Sequence, residues 1–491
     1  ADRVIEHKLA NGMTVLMVER HQAPIVSINM TFGVGGVNEQ VGQTGLAHLY
    51  EHMAFKGTRA VGTRDYEREQ AVLDDVAMVG TELDRREREE AARAQMEGKA
   101  PVHSEAVQQL QRRFKELQEK AGEYVVGNEM ALLYQRHGGV GLNASTGKDI
   151  TRYVISLPAN RLPLWAALES DRMAHPVLRE FYKERGVVME ERRLRTDDSP
   201  NGLLYETFTS TAFQAHQYGV PTIGWGSDIL SLTPAATEAF FKTYYGPNNA
   251  TVAIVGDINP KEVISLIEQT FGKIPAAPPI PSLVTEEPPQ RGERRVEIEF
   301  DAEPALAIGY HKPTIGHPDD FVFDVIDEVL TEGVTSRLYS TLVRDKRLAA
   351  SVLSDTNYPG VRAPNLFVIA ATPLAPHTVT EVETAIYEEL DRLKTEPISA
   401  KEFERVLNGL DADLVRSLRS NSGLASQLAF YHTVAGTWRY VLNARDRIAA
   451  VTPGDVQRVA AQYLTKSNRT VGVLVKKAQD KKMAAAGEVA R

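Results

Sequence analysis

Thr233-Pro234, followed by Tyr244, Asn249 and Thr251-Val252, is answered later in the chain by Thr452-Pro453, Tyr463, Asn468 and Thr470-Val471. Each matched pair is separated by 219 positions. Both segments read the same way: a helix capped by Thr with Pro in its first turn, then a turn, then a buried strand. A second offset holds nearer the start of each half. Gly57 aligns with Gly333 at 276 positions, and Leu49, Tyr50, Met53 and Ala54 fall on Val325, Ile326, Val329 and Leu330. The two offsets differ by about the length of a charged stretch, residues 66–134, that only the first half carries. The chain therefore reads as a duplicated domain with one insertion.

Outward from that repeat, residues 4–9 and 14–19 form two strands around an Asn11-Gly12 hairpin turn, and residues 25–32 a third. The insertion is rich in Glu, Arg, Gln and Ala and breaks at Gly98-Lys99-Ala100-Pro101, which predicts a helical hairpin. A solvated pair of helices is its plain reading, and a docking arm for a partner its alternative. Residues 138–146 and 151–157 predict a strand hairpin, 162–173 a helix, and 177–195 a second helix. Six prolines between Pro275 and Pro289 rule out regular structure and mark a linker at 275–293. The expected domains are thus 1–274 and 294–491, with a frayed charged tail from Lys476.

Within the first half, residues 45–57 read as one short helix, capped by Thr44 and ended by Gly57. His48 and His52 lie one turn apart on a shared face, with Glu51 beside them. Two neutral imidazoles on one face can hold a zinc ion, and a neighbouring carboxylate can take a proton from water. This is the inverted His-x-x-Glu-His order. In the second half His48, Glu51 and His52 fall on Asp324, Asp327 and Glu328, so one metal ion per chain is expected. A third ligand is needed. On the helix holding residues 184–193, Glu184 and Glu191 are seven apart and share a face, while Glu190 points roughly 100° away. A ligand and its supporting carboxylate suit the Glu191 and Glu184 face, with Glu190 the rival.

Composition narrows the chemistry. The 491 residues contain no cysteine, which excludes disulfides, thiolate metal sites and a cysteine nucleophile. A net charge of −9 offers no footprint for nucleic acid, and no apolar run approaches the ~20 residues of a membrane span. The chain starts at Ala1, which fits removal of a targeting segment and an exported, periplasmic protein.

His-x-x-Glu-His at 48–52, Leu142-Asn143-Ala144-Ser145-Thr146, and Glu184-Arg185-x-Val187-Val188-x-Glu190-Glu191 together resemble the pitrilysin/insulinase metallopeptidases, of the M16 family. The branch is that of the mitochondrial processing peptidases and their bacterial relatives, and the resemblance spans nearly the whole chain. It implies an α+β fold of two homologous domains, each a mostly antiparallel sheet with helices, forming a clam-like chamber. It implies zinc held by His48, His52 and Glu191, Glu51 as general base and Glu184 as support. An extended peptide substrate would add as a strand near Asn143 and Ala144. Active single-chain relatives carry an Arg followed by a Tyr in the second half. Here Arg344 is present, but Ala350 or Ser351 stands at the Tyr position. The expectation is a zinc endopeptidase working as a homo- or hetero-dimer, its partner supplying the Arg/Tyr pair. A non-catalytic assembly subunit that keeps its zinc site is the alternative.

Overall fold

A computed structural model describes residues 3–477; the tail expected to fray lies, from residue 478, outside the described residues. Two sheets carry the architecture. The first contains β1 (Ile5–Lys8), β2 (Thr14–Glu19), β3 (Ile25–Phe32), β4 (Val140–Thr146), β5 (Thr151–Pro158) and β6 (Ala250–Gly256). Its order is β1-β2-β6-β3-β5-β4. The second contains β7 (Arg294–Phe300), β8 (Ala305–Lys312), β9 (Ala349–Tyr358), β10 (Asn365–Pro373) and β11 (Arg469–Lys476), in the order β7-β11-β8-β10-β9. In each sheet the last strand of the half inserts between the first two of the shared pattern. It runs parallel to one neighbour (β2 or β7) and antiparallel to the other (β3 or β8). All other pairs are antiparallel. Apart from β1, the first sheet repeats in the second.

The helices that matter below are α1 (Leu46–Met53), α2 (Tyr66–Met96), α3 (Glu105–Gly122), α4 (Phe181–Arg192), α5 (Pro200–Ala212), α6 (Pro234–Tyr244), α7 (Pro318–Leu330), α8 (Asn421–Ala435) and α9 (Pro453–Tyr463). Thr233 and Thr452 cap α6 and α9 through their side chains. Asn249 then donates to the Tyr244 carbonyl at 2.8 Å, and Asn468 to the Tyr463 carbonyl at 2.9 Å. One local hydrogen bond thus closes the same turn in both halves. Gly57 and Gly333 both take positive φ, at 95° and 79°. Duplication is written into the backbone.

The insertion folds as α2 and α3 packed together, capped by Asp65 and Ser104. A further short helix, Glu129–Arg136, leads back to the sheet with Met130 and Tyr134 buried. The expected helix at 177–195 is α4, after which Arg193–Asp197 form a π turn and the chain starts α5. Regular structure is indeed absent from 275–291.

The two compact units do not follow the division expected from the linker. The first takes the chain up to Glu191, Val220–Val284 and Asp413–Asn443. The second takes Arg192–Gly219, Thr285–Ala412 and the chain from Ala444. Each half lends the other a helix. α5 packs on β7 and β11, where Phe208 lies against Gly309 and Gly472; a Cβ on Gly309 would come within 2.6 Å of its ring. α8 packs on β3 and β6, and Ala425, Leu428 and Ala429 join Leu16, Val18, Ala253, Val255 and Trp438 in one apolar cluster. Both helices begin at the same elbow. Ser199 accepts from Gly202 N–H and Ser420 from Gly423 N–H, and each glycine meets a carbonyl of the preceding helix turn. The exchange follows from burial: each sheet has an apolar outer face that its own half leaves uncovered.

In α7, the aligned copy of α1, Val325, Ile326, Val329 and Leu330 are buried as the repeat requires. Asp324 is half-buried, and desolvation pushes its carboxyl up to about 8, with Asp320 adding and Lys312 opposing. A folded value above the unfolded ~3.9 means that ionisation favours the unfolded chain, so stability falls as pH rises from about 4 through 8. Asp324→Asn is therefore expected to gain denaturant resistance over the wild type progressively between pH 5 and pH 9. A separate expectation concerns the exchanged helix. Residues 3–284 expressed alone leave several apolar side chains uncovered, at about 1.5–3 kcal/mol each, comparable with the ~5–15 kcal/mol stability of a typical domain. That fragment will bind a hydrophobic dye and lack a cooperative unfolding transition.

Candidate metal centre

α1 is positioned from both ends by contacts remote in sequence. Thr44 does not cap it. Its hydroxyl donates to Asp228 at 2.8 Å and accepts from Trp225 N–H, tying the preceding loop to another segment. The cap is Glu39, whose two carboxylate oxygens accept from Gly45 and Ala47 N–H at 2.8 Å each. Burial raises the Glu39 carboxyl to about 8, against the pull of those two N–H groups. The helix ends at Met53 rather than Gly57. Gly57 instead serves a tight turn, where a Cβ would lie 2.2 Å from the Val61 carbonyl.

His48 and His52 rise from one face of α1 toward α4. His48 Nε2 stands 3.6 Å and His52 Nε2 3.3 Å from the same Glu191 oxygen. One donor atom from each of the three residues falls within a 4.8 Å span, the one such group among the described residues. Tetrahedral zinc with ligands at ~2.0–2.2 Å requires neighbouring donors about 3.3–3.6 Å apart. The spacing fits the ion, and it is Glu191 rather than Glu190 that stands in the group with His48 and His52.

Behind the ligands, Glu184 Oε2 lies 3.4 Å from His52 Nδ1, and its other oxygen meets the Lys56 ammonium at 2.6 Å. Burial pushes the Glu184 carboxyl up, but the bonds from His52 and Lys56 outweigh it and hold the group below its usual range. The bond to Glu184 raises the His52 imidazole, against desolvation. A carboxylate behind one ring nitrogen places the proton there and turns the other nitrogen to a metal.

Glu51 does not join the donor triangle. Its Oε2 accepts from the Thr146 hydroxyl at 2.6 Å, across from the end of β4. Asn143 and Ala144 lie on β4, which pairs with β5 and forms one edge of its sheet among the described residues. Arg344 is surface-exposed on the second unit and bound to its neighbour Asp345 at 2.7 Å. In the sequence Thr146 stands out only as part of the 142–146 motif, and Lys56 and Glu39 join the site without having been singled out there. Lys56 had a readable signal, standing four residues after His52 as His52 stands after His48. Glu39 had none, because only the folded loop returns it to the helix.

Two repeated α+β units, one bearing a His-x-x-Glu-His helix and the other its degenerate copy, define a two-domain metallopeptidase fold. The chain belongs to the M16 peptidase family. The family model described as insulinase (peptidase family M16) matches residues 14–75, and that of the M16 inactive domain matches 231–410. The zinc protease PqqE of Helicobacter pylori is 29% identical over 94% of this chain and 90% of its own. A probable mitochondrial-processing peptidase subunit beta of Schizosaccharomyces pombe is 22% identical, covering 93% of this chain and 88% of that one. The crystal structure of a protease from Helicobacter pylori superposes with a TM-score of 0.78 at 27% identity, over 96% of this chain and 99% of the other. No helix among the described residues is long and apolar enough to cross a membrane.

The Thr146 bond generates a direct expectation. A hydrogen bond to a charged group contributes about 1.5–3 kcal/mol. Thr146→Val, which keeps the side-chain shape, is expected to lower kcat for peptide hydrolysis by about tenfold or more while leaving metal content unchanged.

Proposed function

We propose that this chain is a zinc-dependent endopeptidase that hydrolyses extended peptides or unfolded segments. The observation that carries the reading is the donor triangle of His48, His52 and Glu191, with Glu51 alongside, oriented by Thr146. Zinc, when bound, supplies Lewis acidity that brings a water's pKa to about 7 and polarises a carbonyl. Glu51 accepts the proton of the attacking water and returns it to the leaving amine. Glu184 keeps the His52 ring turned so that Nε2 faces the donor triangle.

Substrate lies along the open edge of β4. An edge strand offers unpaired N–H and C=O groups, which take an extended chain by its backbone and tolerate many side chains. Asn143 and Ala144 stand on that edge, three and two residues before the Thr146 that holds Glu51. A peptide paired along that edge would run past the Glu51 carboxylate that Thr146 holds. The tetrahedral oxyanion calls for donors beyond the metal. Arg344 is engaged with Asp345 and no Tyr stands at 350 or 351, which supports a dimer whose other member supplies the missing pair. The name of the yeast relative, a subunit, agrees with that reading. The family's inactive-domain match covers the half with Asp324, Asp327 and Glu328 in the motif's place, so it does not weigh against Glu51 in the first half.

The test combines metal analysis with peptide hydrolysis. One zinc per chain is expected, with hydrolysis lost to a chelator and restored by zinc. Glu51→Gln is expected to keep the metal and lose about 100- to 10,000-fold in kcat. Unchanged hydrolysis in that variant overturns the reading. Gel filtration with assays before and after adding a second family member tests the dimer, and full activity as a monomer overturns it.

A further inference from the structure

We propose that Lys56 is a positioning residue of the metal centre, holding Glu184 so that this carboxylate orients His52, and that the helical insertion anchors Lys56 in turn. This rests on the zinc reading above.

Lys56 lies one turn beyond His52, and Glu180 one turn before Glu184. The Lys56 ammonium bridges the two carboxylates, at 2.6 Å from Glu184 Oε1 and 2.9 Å from Glu180 Oε2. With one Glu184 oxygen taken by Lys56, the other is left to face His52 Nδ1. All three members are largely shielded, with side chains 19%, 24% and 11% exposed for Lys56, Glu180 and Glu184. Remove the ammonium, and two carboxylates remain one helical turn apart, with only the exposed Lys183 left on Glu180 and no cation joining the pair. Glu184 is then driven from its place behind His52.

Two further observations separate this bridge from an ordinary surface ion pair. Glu180 sits at φ +54°, a left-handed conformation that a side-chain-bearing residue adopts only at a cost. Such strain persists where the surroundings overdetermine it, and here it aims the Glu180 carboxylate at Lys56 at the entry to α4. The Lys56 backbone is held as well. Its carbonyl accepts from Arg179 Nη1 at 3.2 Å, and the same guanidinium serves the Val61 and Thr58 carbonyls. Arg179 is buried and donates through Nε to Glu69 Oε1 at 2.7 Å. Glu69 is the fourth residue of α2, the first helix of the insertion. A continuous path of polar contacts therefore leads from the insertion through Arg179, Lys56 and Glu184 to a metal ligand. The insertion is part of the scaffold of the site.

Competition for zinc against a chromophoric chelator tests this, using the full chain as apoprotein. Lys56→Met is expected to weaken zinc binding by about 10- to 100-fold, and Lys56→Arg to recover most of that loss. Glu180→Gln is expected to weaken binding in the same direction by a smaller factor. Lys183→Met removes the exposed lysine that also binds Glu180 and is expected to stay within about twofold of wild type. Wild-type affinity in Lys56→Met overturns the proposal, as does an equal loss in Lys183→Met. If Lys56→Met loses the near-UV circular dichroism of the native apoprotein, Glu180→Gln decides: weakened binding supports the proposal and unchanged binding overturns it. Failure of the wild type to bind one zinc is a different result, which overturns the zinc reading itself.

Discussion

Everything in the first unit serves to face two helices with their charges in register. Reading up α1 and just past its end, His48, His52 and Lys56 meet carboxylates that descend α4 from Glu191 to Glu184 and on to Glu180 just before it. Numbers rising on one side and falling on the other mean that the helices run in opposite senses along the contact. Each rung is half-buried, where an unmatched charge costs several kcal/mol. The alignment must therefore be maintained from outside the pair. Glu39 holds the start of α1, Arg179 the turn beyond its end, and the sheet lies beneath both. The donor triangle sets two imidazoles against one carboxylate, a set with the chemistry to hold a divalent cation.

The second unit shows what the same scaffold does when it is released from that task. α7 keeps the apolar positions of α1, and Gly333 keeps the left-handed turn of Gly57. The chemistry-bearing positions have become Asp324, Asp327 and Glu328. Asp327 accepts from the Ser354 hydroxyl, and burial raises its carboxyl to about 6. Near pH 7 burial thus keeps the Asp324 carboxyl mostly protonated, whereas Asp327 is mostly ionised and accepts from Ser354.

Much of this was legible in one chain, for identifiable reasons. The repeat could be read because Thr-Pro caps and a closing Asn act locally, so equal sequence gives equal structure wherever it occurs. The grouping of His48, His52 and Glu191 could be read because helical period alone relates His48 to His52 and Glu184 to Glu191. Period also chose Glu191 over Glu190. What escaped depends on contacts between distant segments. Thr44 has the right residue type for a cap, yet Asp228, far away in sequence, claims its hydroxyl. Glu129–Arg136 is a helix because Met130 and Tyr134 bury against the first unit's core, not because its pattern is strong. The exchanged helices α5 and α8 escaped for the same reason. Nothing within 200–212 or 421–435 says which sheet will receive it.

That exchange bears on how such a chain comes to exist and how it is made. Two copies of one domain, each lending the other the helix after the same Ser-x-x-Gly elbow, have the arrangement left by joining the protomers of a domain-swapped dimer end to end. Synthesis from the N-terminus then meets an awkward order. α5 leaves the ribosome before any strand of the sheet it will cover, and the outer face of the first sheet stays bare until residue 435 has been made. A nascent chain in that interval exposes strand faces that attract other chains. Protection during translation is a demand that this topology places on the cell, whatever its finished stability.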